Sequence, residues 1–262
     1  MHGKIERLYN YPIKGLSAQP VEQALLRPGD GFPDDRLFGF ARHDSGFDQN
    51  DPQPLPKDRF VVQVKEERLA GLVTHFDSRT RHMRILVKGN VVFERLLIDG
   101  DAIRAAENFI ATMFDLDEAT RPTFACSGVH RFTDVSVVSK ELMNAISLIN
   151  LDSVRDMEER IKAPIDPLRF RANVYFSGWP AGRELEMVGR TFRLGAARLR
   201  VMMRTRRCAA TEVDPTTARR DLQIPRLIMQ NYGHADMGIY AEVIEGGEIR
   251  LGEAIHFEEV FA

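Results

Sequence analysis

The sequence predicts a mainly β chain with a few helices, an α+β protein whose short strands close into barrels. Three observations carry that prediction. Short alternating or β-branched segments recur along most of the 262 residues, and 19 glycines and 13 prolines punctuate the chain. Only a few stretches carry a helical period. The length fits one large or two ordinary domains. The pattern divides into a strand-rich part (1–100), a helical connector (101–120) and a second strand-rich part (121–262).

Lys4–Asn10, Val21–Leu26, Leu37–Ala41 and Arg59–Val64 read as strands. His82–Val87 and Val91–Leu96 read as a hairpin turned by Lys88-Gly89-Asn90. Between Ala41 and Arg59, Pro52, Pro54 and Pro56 exclude a helix or a central strand, so His43–Asp58 is a long loop. The spacing of Ile103, Ala106, Phe109, Ile110 and Met113 predicts a helix over Asp101–Phe114, capped by Asp101. Val135–Val138 reads as a strand. Ser139 then caps a second helix whose apolar face is Leu142, Ile146 and Ile149. Ala172–Phe176, Leu185–Val188, Thr191–Leu194, Arg198–Met203, Met237–Ile244 and Ala254–Phe257 complete the strands. A short helix lies near Leu222–Gln230, its start set by Pro225.

Composition narrows the function. A net charge of −2 gives no global attraction for nucleic acid, so any anion site must be local. No apolar run approaches the roughly 18 residues a membrane helix needs. The N-terminus alternates like a strand and lacks the apolar core of a signal peptide, so a cytoplasmic protein is expected. The 2 cysteines, Cys126 and Cys208, cannot build a disulfide framework or an ordinary iron–sulfur site. The 7 histidines show no zinc-ligand spacing and read as surface or core residues. Cys126 reads as a buried structural cysteine. Trp179, in Ser177-Gly178-Trp179-Pro180, reads as a turn residue at a pocket rim. The acids Asp51, Asp58, Glu158 and Glu159 lack a glycosidase pattern.

The chemistry concentrates at Arg204-Thr205-Arg206-Arg207-Cys208-Ala209-Ala210-Thr211-Glu212-Val213-Asp214-Pro215. Fixed positive charge beside a thiol favours the thiolate, the form that attacks, carries sulfur or ligates a soft metal. The same sequence is compatible with a small buried cysteine in a solvated, Arg-rich stretch. Three other segments carry polar groups. Tyr11-Pro12-Ile13-Lys14-Gly15 reads as a turn. Asp34-Asp35-Arg36-Leu37-Phe38 reads most simply as a surface charge pair. In Leu168-Arg169-Phe170-Arg171-Ala172-Asn173-Val174, strand alternation puts Arg169, Arg171 and Asn173 on one face, either an anion-binding comb or an exposed strand face.

Taken in this order, the segments resemble the MOSC family, named after the C-terminal domain of molybdenum-cofactor sulfurase. The Tyr-Pro-Ile-Lys and Asp-Arg-Leu-Phe segments resemble the N-terminal β-barrel domain that precedes many MOSC domains. Phe-Arg-Ala-Asn-Val and Arg-Cys-Ala-Ala-Thr-Glu-Val-Asp-Pro resemble the MOSC domain itself. The two-domain arrangement is similar to the amidoxime-reducing branch of that family. The resemblance implies a molybdenum cofactor with Cys208 as metal ligand. It implies cofactor contacts at Lys14, Arg36, Thr133, Arg171, Asn173, Arg206 and Arg207. Asp214 reads as a turn former.

Three departures stand out. Gly15 replaces a serine that helps hold the cofactor in that branch, Ala172 replaces a proline, and Arg206 replaces a small polar residue. Arg206 either adds a phosphate contact or occupies substrate space. The implied function is reduction of N-oxygenated or similar oxo-acceptor small molecules. No flavin, nicotinamide or iron–sulfur motif is visible, so a separate electron-donor protein is expected. Two other functions use the same thiol: sulfur transfer through a Cys208 persulfide, and a non-catalytic cofactor-binding module.

Overall fold

The computed structural model describes residues 2–128 and 130–257. Its strands are β1 (His2–Asn10), β2 (Gln19–Val21), β3 (Gln23–Leu26), β4 (Phe38–Ala41), β5 (Val73–Asp77), β6 (His82–Val87), β7 (Asn90–Leu96), β8 (Thr123–Cys126), β9 (Ile146–Asn150), β10 (Val174–Ser177), β11 (Thr191–Leu194), β12 (Ala197–Arg206), β13 (Asp236–Glu245), β14 (Gly247–Arg250) and β15 (Ala254–Phe257). The helices are α1 (Gly100–Met113), the single turn α2 (Lys140–Met143), α3 (Leu151–Ile161) and α4 (Ile224–Tyr232). The expected mainly β chain with few helices is what folds.

Seven strands close a barrel in the order β10-β9-β13-β12-β11-β15-β1, with β1 pairing back onto β10. All its ladders are antiparallel except β9–β10. A parallel pair needs a crossover connection, and α3 supplies it. Ile5, Leu148, Phe176, Leu199, Ile239 and Ile255 fill the interior. The barrel is not made from residues 121–262 alone, because β1 joins β10 to β15.

The other sheets are small. β4 pairs β8, β3 pairs β14, and β5-β6-β7 form a meander. Lys88 and Gly89 both take positive φ in the tight turn between β6 and β7, as a two-residue hairpin loop requires. The face of α1 bearing Ala106 and Ile110 packs with Phe38, Phe76, Ile85 and Phe124 into a second core. The N-terminal half therefore pairs as separate small sheets around a helix, with β4 taking its partner from residues 123–126 instead of closing its own ladder.

Several local expectations are corrected. Arg59–Val64 is not a strand: Lys57–Arg59 is a 3-10 turn, and Phe60 makes only an isolated bridge to Ala41. Val21–Leu26 is divided between β2 and β3. Val135–Val138 is a turn. Ser139 does cap a helix, accepting from the Leu142 amide, but that helix stops at Met143. Ile146 and Ile149 belong to β9, which is buried throughout. Leu148 faces the barrel interior while Ile149 packs with α3 and α4, so burial on both faces removed the alternation that marks a strand. Leu185 lies in a 3-10 turn over Arg183–Glu186. The α1 cap is Asp99, whose carboxylate accepts from the Ala102 amide at 2.8 Å. Trp179 is 1% exposed, packed against Phe176 and Phe192 in the barrel core and not at a rim. Cys126 is half-buried.

Candidate functional site

A cleft of about 270 Å³ opens between the barrel and the N-terminal sheets. Lys14, Arg36, Thr133, Arg171, Asn173, Arg206, Arg207 and Cys208 all line it. Residues 159 positions apart in the case of Lys14 and Asn173 are brought to one wall because β1 crosses from the barrel into the turn that carries Lys14.

The comb predicted on residues 169–173 does not exist as a strand. Pro167–Phe170 is a 3-10 turn, and Arg171 takes φ 50° before β10 begins. The three side chains line the cleft but take different partners. Arg169, 3% exposed, donates to the Asp214 and Asp221 carboxylates at 2.9 and 2.7 Å and to the Glu212 carbonyl at 3.0 Å. It ties down the segment that follows Cys208. Asp214 also accepts from the Thr216 and Thr217 amides, which closes the expected turn. Asn173, 2% exposed, is a bracket: its Oδ1 accepts from the Ser147 amide and hydroxyl, and its Nδ2 donates to the Tyr9 carbonyl and Asp35.

Asp34-Asp35-Arg36 is not a surface charge pair. Asp35 is 3% exposed and accepts from the Tyr11 amide at 2.9 Å and from Arg36 at 2.5 Å. Arg36, at φ 53°, donates to the Arg171 carbonyl at 3.0 Å. Arg171 donates to the Leu16 carbonyl at 2.7 Å. Both guanidinium carbons lie 4.6 Å from the centre of the Tyr11 ring. The buried tyrosine is thus a platform for two arginines. Two non-glycine residues at positive φ mark a backbone held against its local preference by this surrounding packing.

Arg207 donates to the Met237 and Phe170 carbonyls and lies over the Phe170 ring. Cys208 ends the excursion from β12 and opens a 3-10 turn, its carbonyl accepting from the Thr211 amide and hydroxyl. A bulge between Arg204 and Arg206 re-aims the strand end just before the cysteine. Gly238 on β13 allows the closest approach here: a Cβ would lie 2.3 Å from the Leu148 carbonyl oxygen and 3.2 Å from the Arg207 guanidinium. Thr133 donates to the Met143 carbonyl at 3.3 Å.

Two site residues escaped the sequence reading. Asp134 is the only carboxylate among the lining residues, 2.5 Å from Lys14 and 3.7 Å from Lys57. Lys57 reaches the cleft from the turn that ends the proline-rich loop. No motif marks either, but Asp134 adjoins Thr133, and Lys57 lies in His43–Asp58, a loop long enough for its length alone to be a signal of function. Burial opposes the Lys14 charge and holds its pKa below the usual lysine value despite Asp134. Burial also opposes charge on Asp134, but Lys14 and then Lys57 outweigh it, leaving its pKa well below the ordinary carboxylate range. For Lys57, burial is outweighed by Asp134 and by Cys208, so its pKa rises. Burial lowers the Arg171 and Arg207 values. In Arg36 the same burial is overcome by Asp35 and Tyr11, and the value rises.

Two of the departures, Gly15 and Ala172, have structural reasons. Gly15 has φ 86°, and a Cβ there would lie 2.5 Å from the Val61 carbonyl oxygen. No serine fits without moving that strand-like segment. The Ala172 amide donates to the Tyr175 hydroxyl at 3.0 Å, a bond proline would forfeit.

The chain matches the MOSC domain family over residues 128–256. It is 26% identical over 295 aligned positions to the mitochondrial amidoxime-reducing component 1 of Xenopus laevis, covering 97% of this chain and 82% of that protein. Among solved structures, YuaD of Bacillus subtilis is 15% identical with a TM-score of 0.45, covering 97% of this chain and 94% of YuaD. YiiM of Geobacillus stearothermophilus is 22% identical with a TM-score of 0.34, covering 44% of this chain and 54% of YiiM.

Proposed function

We propose, from the match of residues 128–256 to the MOSC domain family, that the cleft of this chain binds the molybdenum cofactor with Cys208 as the protein ligand to the metal. The donor set fits such a group. Among the described residues no cluster of three His, Cys, Asp or Glu side chains could hold a metal ion. A metal at Cys208 must therefore arrive with most of its own ligands, as it does on a dithiolene cofactor that also carries a phosphate. Thiolate is a soft donor suited to that metal environment. Among the described residues Arg171 and Arg207 bond only neutral carbonyls, so their charges await an anion. Two buried polar atoms on the cleft wall, Arg169 Nε and Thr205 Oγ1, have no partner among the described residues.

In this reading Arg171 and Arg207 hold the phosphate, Lys14 and Arg36 support the ring end, and Asn173 with Asp35 fixes the spacing of the walls. When bound, the cofactor supplies two-electron oxygen-atom chemistry. The chain's own task is to orient it, to supply the Cys208 sulfur, and to leave room beside it for an N-oxygenated small molecule. Electrons come from a separate donor protein. The observation that carries the proposal is the convergence of unneutralised guanidinium groups with a lone thiol in one cleft. We expect protein made in a cofactor-synthesising host to contain molybdenum and pterin, and Cys208→Ala to lose turnover and at least about tenfold in molybdenum. Full metal content and activity in that variant would overturn the ligand role. A Cys208 persulfide found by mass spectrometry after incubation with a cysteine desulfurase would favour sulfur transfer instead.

A further inference from the structure

We propose that Arg206, with Lys57 facing the same cleft, forms a carboxylate-recognition subsite beside Cys208, so that the preferred substrates are oxidised small molecules bearing a carboxylate. The proposal rests on the cofactor reading above and adds the substrate class.

Charge accounting singles out Arg206. Seven cationic side chains and one carboxylate line the cleft. Arg36 is neutralised by Asp35, and Arg169 by Asp214 and Asp221. Lys14 and Lys57 share the single charge of Asp134, leaving one positive charge between them. Among the described residues Arg171 and Arg207 have only carbonyl hydrogen-bond partners. Arg206 is exposed, and among the described residues its side chain makes no hydrogen bond or ion pair. A cofactor phosphate brings about −1.5 to −2 at neutral pH, enough for Arg171 and Arg207. The charge on Arg206 and the surplus on the lysine pair then remain for a second anion.

Placement agrees with charge. Arg206 ends β12, two residues before the thiol, and Lys57 lines the same cleft as that thiol. Next to Arg206, Thr205 is 4% exposed, lines the cleft, and has a hydroxyl with no partner. A guanidinium fork matches a carboxylate in bidentate geometry, and a hydroxyl donor beside it completes the site.

The test is calorimetric titration of benzoate and of neutral benzamide into the full-length protein, with molybdenum measured on the same samples. Wild type is expected to bind benzoate at least about tenfold tighter than benzamide, a margin that falls to within about twofold in Arg206→Ala and is partly kept in Arg206→Lys. In loaded protein, the ratio of kcat/KM for a ring-carboxylated aromatic amidoxime to that for its neutral parent should fall about tenfold in Arg206→Ala. Equal binding of the two probes to wild type, or an unchanged margin in Arg206→Ala, overturns the subsite. Loss of molybdenum from Arg206→Ala also overturns it and makes Arg206 a cofactor contact. A wild type without molybdenum that still shows the Arg206-dependent margin sustains the subsite and refutes the cofactor reading, which separates the two failures.

Discussion

Asp134 is the residue on which the charge balance of the cleft turns. It holds two lysines that would otherwise repel each other across the cleft. Its folded pKa is depressed below the ordinary value of 3.8. Its contribution to stability is therefore complete above that value and is lost as pH falls below it. Asp134→Asn should cost about 1–2 kcal/mol at pH 7, discounted because the carboxylate is half-exposed. The difference from wild type should shrink as the pH of a urea titration drops under 4. A pH-independent difference would locate the effect in packing rather than in the ion pair. Tyr11 works at the same scale without charge of its own, offering one ring to two arginines.

Among the elements, β13 sets how closely the barrel wall approaches the site arginine. Gly238 at φ 78° lets β13 lie against β9 with no room for a side chain. Gly238→Ala should lose about 2–4 kcal/mol, from positive φ together with the clash on the Leu148 carbonyl. Guanidinium-induced unfolding would measure it; a loss under about 0.5 kcal/mol would mean that the two strands part easily. The hairpin of β6 and β7, the cap of α2 by Ser139 and the extent of α1 were legible because turn chemistry and helical period are local. β9 and the turn at Arg183–Glu186 were not, since covering layers and chain reversals there depend on α3 and on Trp179 packing from elsewhere. α3 itself begins at Asn150, whose side chain caps it while also bonding Trp179, Pro180 and Glu184.

Across the whole molecule, the strand that begins the chain closes the barrel that ends it. A fragment of residues 121–262 would leave edges of β10 and β15 unpaired and would expose the interior contacts of Ile5 and Leu8. We expect such a fragment to be aggregated or unfolded by circular dichroism and gel filtration, and a monomeric, cooperatively melting fragment would contradict this. The same crossing of β1 explains why the site is assembled from both halves: Lys14 and Arg36 lie between β1 and β4, whereas Arg171 precedes β10 and Arg207 and Cys208 follow β12. Among the described residues no helix is long and apolar enough to cross a membrane.

The sequence by itself determined the mainly β character, the long proline-rich loop, the family resemblance and the set of polar segments, because turn residues, strand alternation and short motifs are written in neighbouring positions. The tertiary structure alone decided that Arg169 clamps a loop while Arg171 faces the cleft, that Asp35 is buried, and that Lys57 and Asp134 join the site. It also decided that the Arg206 side chain has no partner among the described residues. Each of those outcomes depends on which groups meet across more than twenty residues of chain, and burial and pairing between such distant groups leave no periodic trace in the sequence.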